Sequence, residues 1–196
     1  MVSLAAFAGS NRRESFNRKL VRVAAEGAER AGASVTLVNL ADYPMPLFDE
    51  DLEAEQGMPE PARAFKQLLV EHDGLLIASP EYNGLVSPLL KNALDWASRA
   101  EAKDEPPYLA YRGKVAAVMA ASPGALGGLR GLVHLRTLLA NLQVMVLPGQ
   151  QTLGQAFKSF DGDGNLADER KRKAVHGLAA ELVRILEQVK EDPHAG

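Results

Sequence analysis

VSLAAFAGSNRRESFNRKL, residues 2–20, decides the fold. Val2 to Ala8 is a short apolar run with little alternation, as expected of a strand covered on both faces. A polar segment, Gly9 to Asn17, follows and runs straight into a helical period. In that period Phe16, Leu20, Ala24, Gly27 and Ala31 recur at intervals of three or four and form one stripe. The same alternation continues outward. Further strand-length apolar runs lie at Val35 to Leu40, Gly74 to Ser79, Val115 to Ala121 and Val144 to Leu147. Helical stripes recur at Leu90, Ala93, Leu94 and Ala97, and at Val175, Leu178, Leu182, Leu186 and Val189. Strand and helix thus alternate along the chain, an order whose short right-handed crossovers build a doubly wound α/β domain with a parallel sheet. Ala41 to Pro61, with four prolines and several acids, reads as an irregular excursion, and His194 to Gly196 as a frayed tail. With no internal repeat or interdomain linker, residues 1–196 are expected to form one domain.

The composition narrows the chemistry. A formal charge of −3 offers no electrostatic footprint for nucleic acid or an anionic membrane surface. The apolar run at the N-terminus is too short to cross a bilayer. The chain contains no cysteine, which removes disulfides, thiolate metal sites and cysteine nucleophiles together and makes a cytoplasmic address the default.

In such a sheet ligands settle beyond the carboxyl ends of the strands, where the strand order reverses, so the residues after each strand carry the function. After the first run comes GSNRRESFN, residues 9–17. Hydroxyls at Ser10 and Ser15, an amide at Asn17, a guanidinium at Arg12 or Arg13 and the free N–H groups of a helix start suit a phosphate. The same residues also suit a plain helix cap, with Ser10 or Asn11 capping and Glu14 as the partner acid. The loop lacks the glycines of a dinucleotide fingerprint and the Gly-Lys-Ser/Thr ending of a P-loop, which favours a monophosphate. After the third run comes SPEYNG, residues 79–84, where Pro80 fixes a backbone angle and Asn83-Gly84 tolerates left-handed turns. This segment either presents its backbone to a flat polar ring or is an ordinary turn with Tyr82 exposed. After the fourth run comes SPGALGGLRG, residues 122–131, which is glycine-rich enough to approach a ligand closely or to serve as a long mobile connection.

Taken together, GSNRRESFN, PEYN followed by LKNALDWASR, SPGALGG and LRTLLANLQVMVLPGQ resemble the NADPH-dependent FMN reductase family over roughly Val2 to Val189. The resemblance implies a flavodoxin-like three-layer sandwich with a five-stranded parallel sheet in the order 2-1-3-4-5. It also implies that flavin mononucleotide (FMN) is held by its phosphate at Ser10, Arg12, Ser15 and Asn17, with the backbone of Phe16. The isoalloxazine ring would lie against Pro80, Glu81, Tyr82, Asn83 and Gly84, with Ser122 and Gly124 closing the other edge. NADPH or NADH would be the co-substrate, and hydride would pass from the nicotinamide to bound FMN and then to a small acceptor such as a quinone, an azo compound or free flavin. Family members commonly form homodimers or homotetramers, with the helix carrying Leu90 to Arg99 near the contact. Leu85 stands where many relatives have a small hydroxyl residue, and Asn11 where an apolar residue is common.

Because the flavin carries the difficult chemistry, no catalytic acid or base is required. Surface or satisfied positions are expected for His72, His134, His176 and His194. No metal site is expected either. Asp161, Asp163 and Asn165 have the spacing that opens a calcium loop, but Leu166 replaces its glycine and the far glutamate is missing. Trp96 is expected in the core or an interface. The competing reading is a flavodoxin-type electron carrier, which would bind FMN without consuming NAD(P)H; such carriers are usually far more acidic. A receiver-type signalling domain would need an aspartate where this chain has Ser79 and Pro80.

Overall fold

Thirteen labelled elements succeed one another in the computed structural model, which describes residues 1–191. In chain order they are β1 (Ser3–Ala8), α1 (Phe16–Arg30), β2 (Ser34–Val38), α2 (Glu50–Gln56), α3 (Glu60–Val70), β3 (Gly74–Ala78), β4 (Glu81–Tyr82), β5 (Leu85–Val86), α4 (Pro88–Ala97), β6 (Val115–Ala121), α5 (Leu129–Asn141), β7 (Met145–Leu153) and α6 (Glu169–Glu191). Five strands form one parallel sheet in the order β2-β1-β3-β6-β7. Counted among sheet strands alone, this is the expected order 2-1-3-4-5. The remaining two strands, β4 and β5, pair as a short antiparallel hairpin outside it.

Alternate residues of each central strand face opposite layers, so the two cores can be read from the strands. Leu4, Ala6, Ala8, Leu76, Ala78, Ala117 and Met119 meet the buried faces of α1 and α6. Ala5, Phe7, Leu75, Ile77, Ala116 and Val118 meet those of α3, α4 and α5. The three layers follow from central strands that are apolar on both faces and helices that are apolar on one stripe. At the end of the α6 stripe Val189 is already exposed.

Two stretches differ from the sequence expectation. Inside the excursion at 41–61 a helix forms, α2, because the Asp49 carboxylate accepts from the N–H groups of Asp51 and Leu52 and closes its first turn. None of its residues is buried, so it leaves no apolar stripe to detect. The last strand extends well past Leu147 to Leu153, through a register shift opposite Ala116 to Val118. As the sheet edge it has one unpaired side, which tolerates the polar run PGQQT. The expected tail at 194–196 lies outside the described residues.

Trp96 is a core residue. Its ring is fully buried, packs edge-on against Phe48 at 5.0 Å and donates from Nε1 to the Pro46 carbonyl at 2.9 Å. It therefore seats the 41–61 excursion on α4. Trp96→Ala is expected to cost about 3–5 kcal/mol of unfolding free energy in urea denaturation, from cavity formation and loss of packing. Trp96→Phe, which keeps most of the volume, should cost distinctly less.

Candidate active site

The chain reverses direction across the sheet at β1, because α1 packs on one face and α4, which follows β3, on the other. The loops after β1 and β3 therefore part and leave a crevice above the strand ends. The crevice walls are tied together. The Gly9 N–H donates to the Ala78 carbonyl at 2.9 Å, and the Ser87 hydroxyl, which caps α4, donates to the Gly9 carbonyl at 2.7 Å. Asn17, only 3% exposed, donates from Nδ2 to the Ala121 carbonyl and accepts at Oδ1 from the Ala121 N–H, both at 2.9 Å. The ends of β1, β3 and β6 and the starts of α1 and α4 form one bonded cluster.

A cavity of about 200 Å³ opens in this cluster. Of the residues expected to bind the cofactor, it is lined by Ser10, Arg12, Ser15, Phe16, Asn17, Pro80, Glu81, Tyr82 and Ser122. Ala121 and Pro123 also line it and escaped the sequence reading; their only signal was adjacency to Ser122. Asn83, Gly84 and Gly124 do not line it. Asn83 and Gly84 form the two-residue turn of the β4–β5 hairpin, with φ of 53° and 86°. Left-handed values at both turn positions suit the twist of a tight hairpin, which explains the Asn-Gly pair.

The donor set around the α1 start fits a phosphate. Ser15 caps the helix, its hydroxyl accepting from the Arg18 N–H at 3.4 Å, and the Ser10 hydroxyl accepts from the Arg12 N–H at 3.4 Å. As the first two helical residues, Phe16 and Asn17 have N–H groups without an intrahelical partner. The exposed Arg12 guanidinium lies over the Phe16 ring at 5.1 Å, and no carboxylate pairs with it among the described residues. Asn17 spends one Nδ2 hydrogen and its Oδ1 on Ala121, which leaves the second Nδ2 hydrogen and the backbone N–H for an anion.

Glu81 is the one acid in the cavity lining, and its charge is answered. Its carboxylate accepts from Arg130 Nε at 2.8 Å and from the Gly131 N–H at 3.1 Å. Desolvation pushes its pKa up, but the Gly131 and Arg130 contacts outweigh that and hold it below the ordinary carboxylate value. A negative phosphate thus meets no uncompensated carboxylate. Glu81 also fastens the β4–β5 hairpin to the start of α5.

In the glycine-rich segment after β6, Gly127 and Gly128 are buried and closely packed, whereas Pro123 to Leu126 are exposed. A Cβ on Gly154 would stand 2.3 Å from the Ala125 carbonyl oxygen, and one on Gly127 would stand 2.6 Å from the Gly154 nitrogen. The Gly124 carbonyl accepts from the N–H groups of Gly127 and Gln155, so this loop is locked to the end of β7.

The described histidines lie away from the cavity. His72, at the end of α3, bonds to the Leu68 carbonyl and the Thr36 hydroxyl, and His134 is exposed. His176 differs from expectation: its Nε2 is buried without a partner, and burial together with Arg30 and Arg172 holds its pKa below the ordinary value. His194 lies outside the described residues. Asp161 Oδ1 accepts from the N–H groups of Asp163 and Asn165, making a turn of the sequence that mimics a calcium loop. No metal-binding cluster occurs among the described residues.

The family model for NADPH-dependent FMN reductases matches residues 2–158. The chain belongs to that family. It is 37% identical over 192 residues to an NADPH:quinone oxidoreductase of Arabidopsis thaliana, covering 94% of each chain. It is 36% identical over 173 residues to a 2-hydroxy-1,4-benzoquinone reductase of a Burkholderia species, covering 88% of this chain and 89% of the other. The solved structure of a flavoenzyme NAD(P)H:(acceptor) oxidoreductase from Paracoccus denitrificans superposes with a TM-score of 0.80 at 28% identity, covering 96% of this chain and 98% of that one. This member of the NADPH-dependent FMN reductase family is accordingly an FMN-dependent NAD(P)H oxidoreductase, which sets aside the electron-carrier reading.

Asn17→Asp keeps the shape of the side chain but turns its donating end into an acceptor facing the Ala121 carbonyl. The variant is expected to lose about 1–3 kcal/mol in chemical denaturation, because a buried polar contact is broken without replacement. Glu81→Gln tests the hairpin anchor through pH. Since the folded pKa is depressed, the stabilisation from Glu81 is complete at neutral pH and fades as acid carries the pH down through the depressed value. The difference in stability between wild type and Glu81→Gln should shrink along that descent.

Proposed function

We propose that the cavity is the FMN site of an NAD(P)H:quinone oxidoreductase built as one FMN-binding domain. The phosphate lies among Ser10, Arg12, Ser15 and the N–H groups of Phe16 and Asn17. The ring rests on Pro80, Glu81, Tyr82, Asn83 and Gly84, with Ser122 and Gly124 at its other edge. The observation that carries this reading is the convergence of two hydroxyls, two free helix-start N–H groups and an unpaired guanidinium on one cavity. The cavity is smaller than the roughly 300–1,000 Å³ usual for small-molecule sites, so it encloses the phosphate end and leaves the ring on an open face.

When bound, FMN supplies the two-electron chemistry between the nicotinamide and the acceptor. The chain orients it. The α1 start fixes the phosphate, the Glu81–Arg130 pair holds the hairpin under the ring, and the locked glycine segment keeps the third wall in place. No side chain need gain or lose a proton, and an open ring face makes few demands on the acceptor. The names of the two sequence relatives favour quinones.

A homodimer or homotetramer, with α4 near the contact, is part of this reading. Leu85, Leu129 and Val133 stand 51%, 40% and 56% exposed on the hairpin and on α5, which pack together and add apolar surface for a second copy. A second copy seated there would cover the open ring face. The cysteine-free composition supports a cytoplasmic address, and among the described residues no helix is long and apolar enough to cross a membrane.

Purified protein loaded with FMN should oxidise NADPH or NADH in the presence of a benzoquinone; failure with both donors would refute the oxidoreductase reading. Arg12→Ala should weaken FMN binding about tenfold or more and leave riboflavin nearly unchanged, since a charge-assisted phosphate contact disappears. Equal losses for both ligands would remove Arg12 from the cradle.

A further inference from the structure

We infer that the hollow between α1 and the end of β2 is an anion subsite for the 2′-phosphate end of a nicotinamide dinucleotide, a second site beside the FMN cradle. This rests on the proposed placement of FMN. A cavity of about 390 Å³ opens there, and Ser10 lines both it and the cradle. Its charged groups are Arg18 and Arg22, four residues apart on one face of α1. Among the described residues neither takes part in an ion pair. Its apolar lining includes Val21, Leu40 and Leu37, the last 53% exposed.

Two arginines beside an apolar lining suit a phosphate ester attached to a flat heterocycle, because Arg18, joined by Arg22 swung in from beside Gly164, can pair the head while the base covers exposed leucine. Asn39, at the rim, is not free to compete: its Nδ2 donates to Asp42 and its Oδ1 accepts from the Ala41 N–H. The hollow lies on the β2 side of the cradle, and the turns proposed to carry the ring lie on the β3 side. A dinucleotide bears its 2′-phosphate at the end remote from the nicotinamide. With the nicotinamide on the ring, the other half projects back past the cradle towards Arg18. FMN, with a single phosphate at Arg12, has no group for this pair of arginines.

The test is calorimetric titration of FMN-loaded protein with adenosine 2′,5′-bisphosphate and, in parallel, with adenosine 5′-monophosphate. The bisphosphate is expected to bind at least about tenfold tighter, and Arg18→Ala with Arg22→Ala to erase that preference. The same double variant should raise KM for NADPH several-fold more than KM for NADH, and FMN affinity, read from flavin fluorescence, should not move. Equal binding of the two nucleotides by the wild type, or a double variant that keeps the preference, overturns the inference. Failure of the wild type to load FMN would instead overturn the cradle on which it rests.

Discussion

A single carboxamide couples the two halves of the crevice. Asn17 sits two residues into α1, yet both polar atoms of its side chain are spent on the backbone of Ala121 at the far end of β6. A buried amide with donor and acceptor both satisfied holds one orientation, and a pair of bonds across 104 positions of sequence fixes the height of the helix start over the sheet. The free N–H groups of Phe16 and Asn17, the Ser15 cap and the loop after β6 all take their places relative to that link. The Ser87 hydroxyl bound to the Gly9 carbonyl does the same for the loop after β3.

This is how short loops are brought together into the proposed site. In a flavin enzyme the protein's task is to place and electrically balance the cofactor, and in the proposed site the bonded cluster would do so largely through backbone groups and neutralised charges. Glu81 illustrates the balance. An acid in the lining of an anion cavity would oppose binding, but Arg130 and the Gly131 N–H absorb its charge and convert it into an anchor for the hairpin.

Much of this was legible in the sequence. The central strands β1, β3 and β6 could be found because each is apolar on both faces, and α1, α4 and α6 because each buries one stripe. Nine of the expected site residues meet in one cavity because topology sends every loop after a parallel strand to the same edge. What escaped has physical reasons. The α2 helix buries nothing and is held by its Asp49 cap, which a search for apolar periods passes over. The polar half of β7 is an edge whose backbone pairs regardless of side-chain polarity. The sequence shows the Asn17 amide but not Ala121, the distant backbone group that it binds. The glycines after β6 left two readings open, close approach to a ligand or a mobile connection, because the packing that requires Gly127 comes from residues near 154, across an intervening helix.

That packing also bears on how such a fold can diversify. A Cβ at Gly127 or Gly154 would meet backbone, so those two positions are closed to substitution. Tyr82, Leu85 and Leu126 stand about half exposed, and side chains of other size and polarity fit there. A change in acceptor preference is therefore easier to introduce at these positions than at the two glycines.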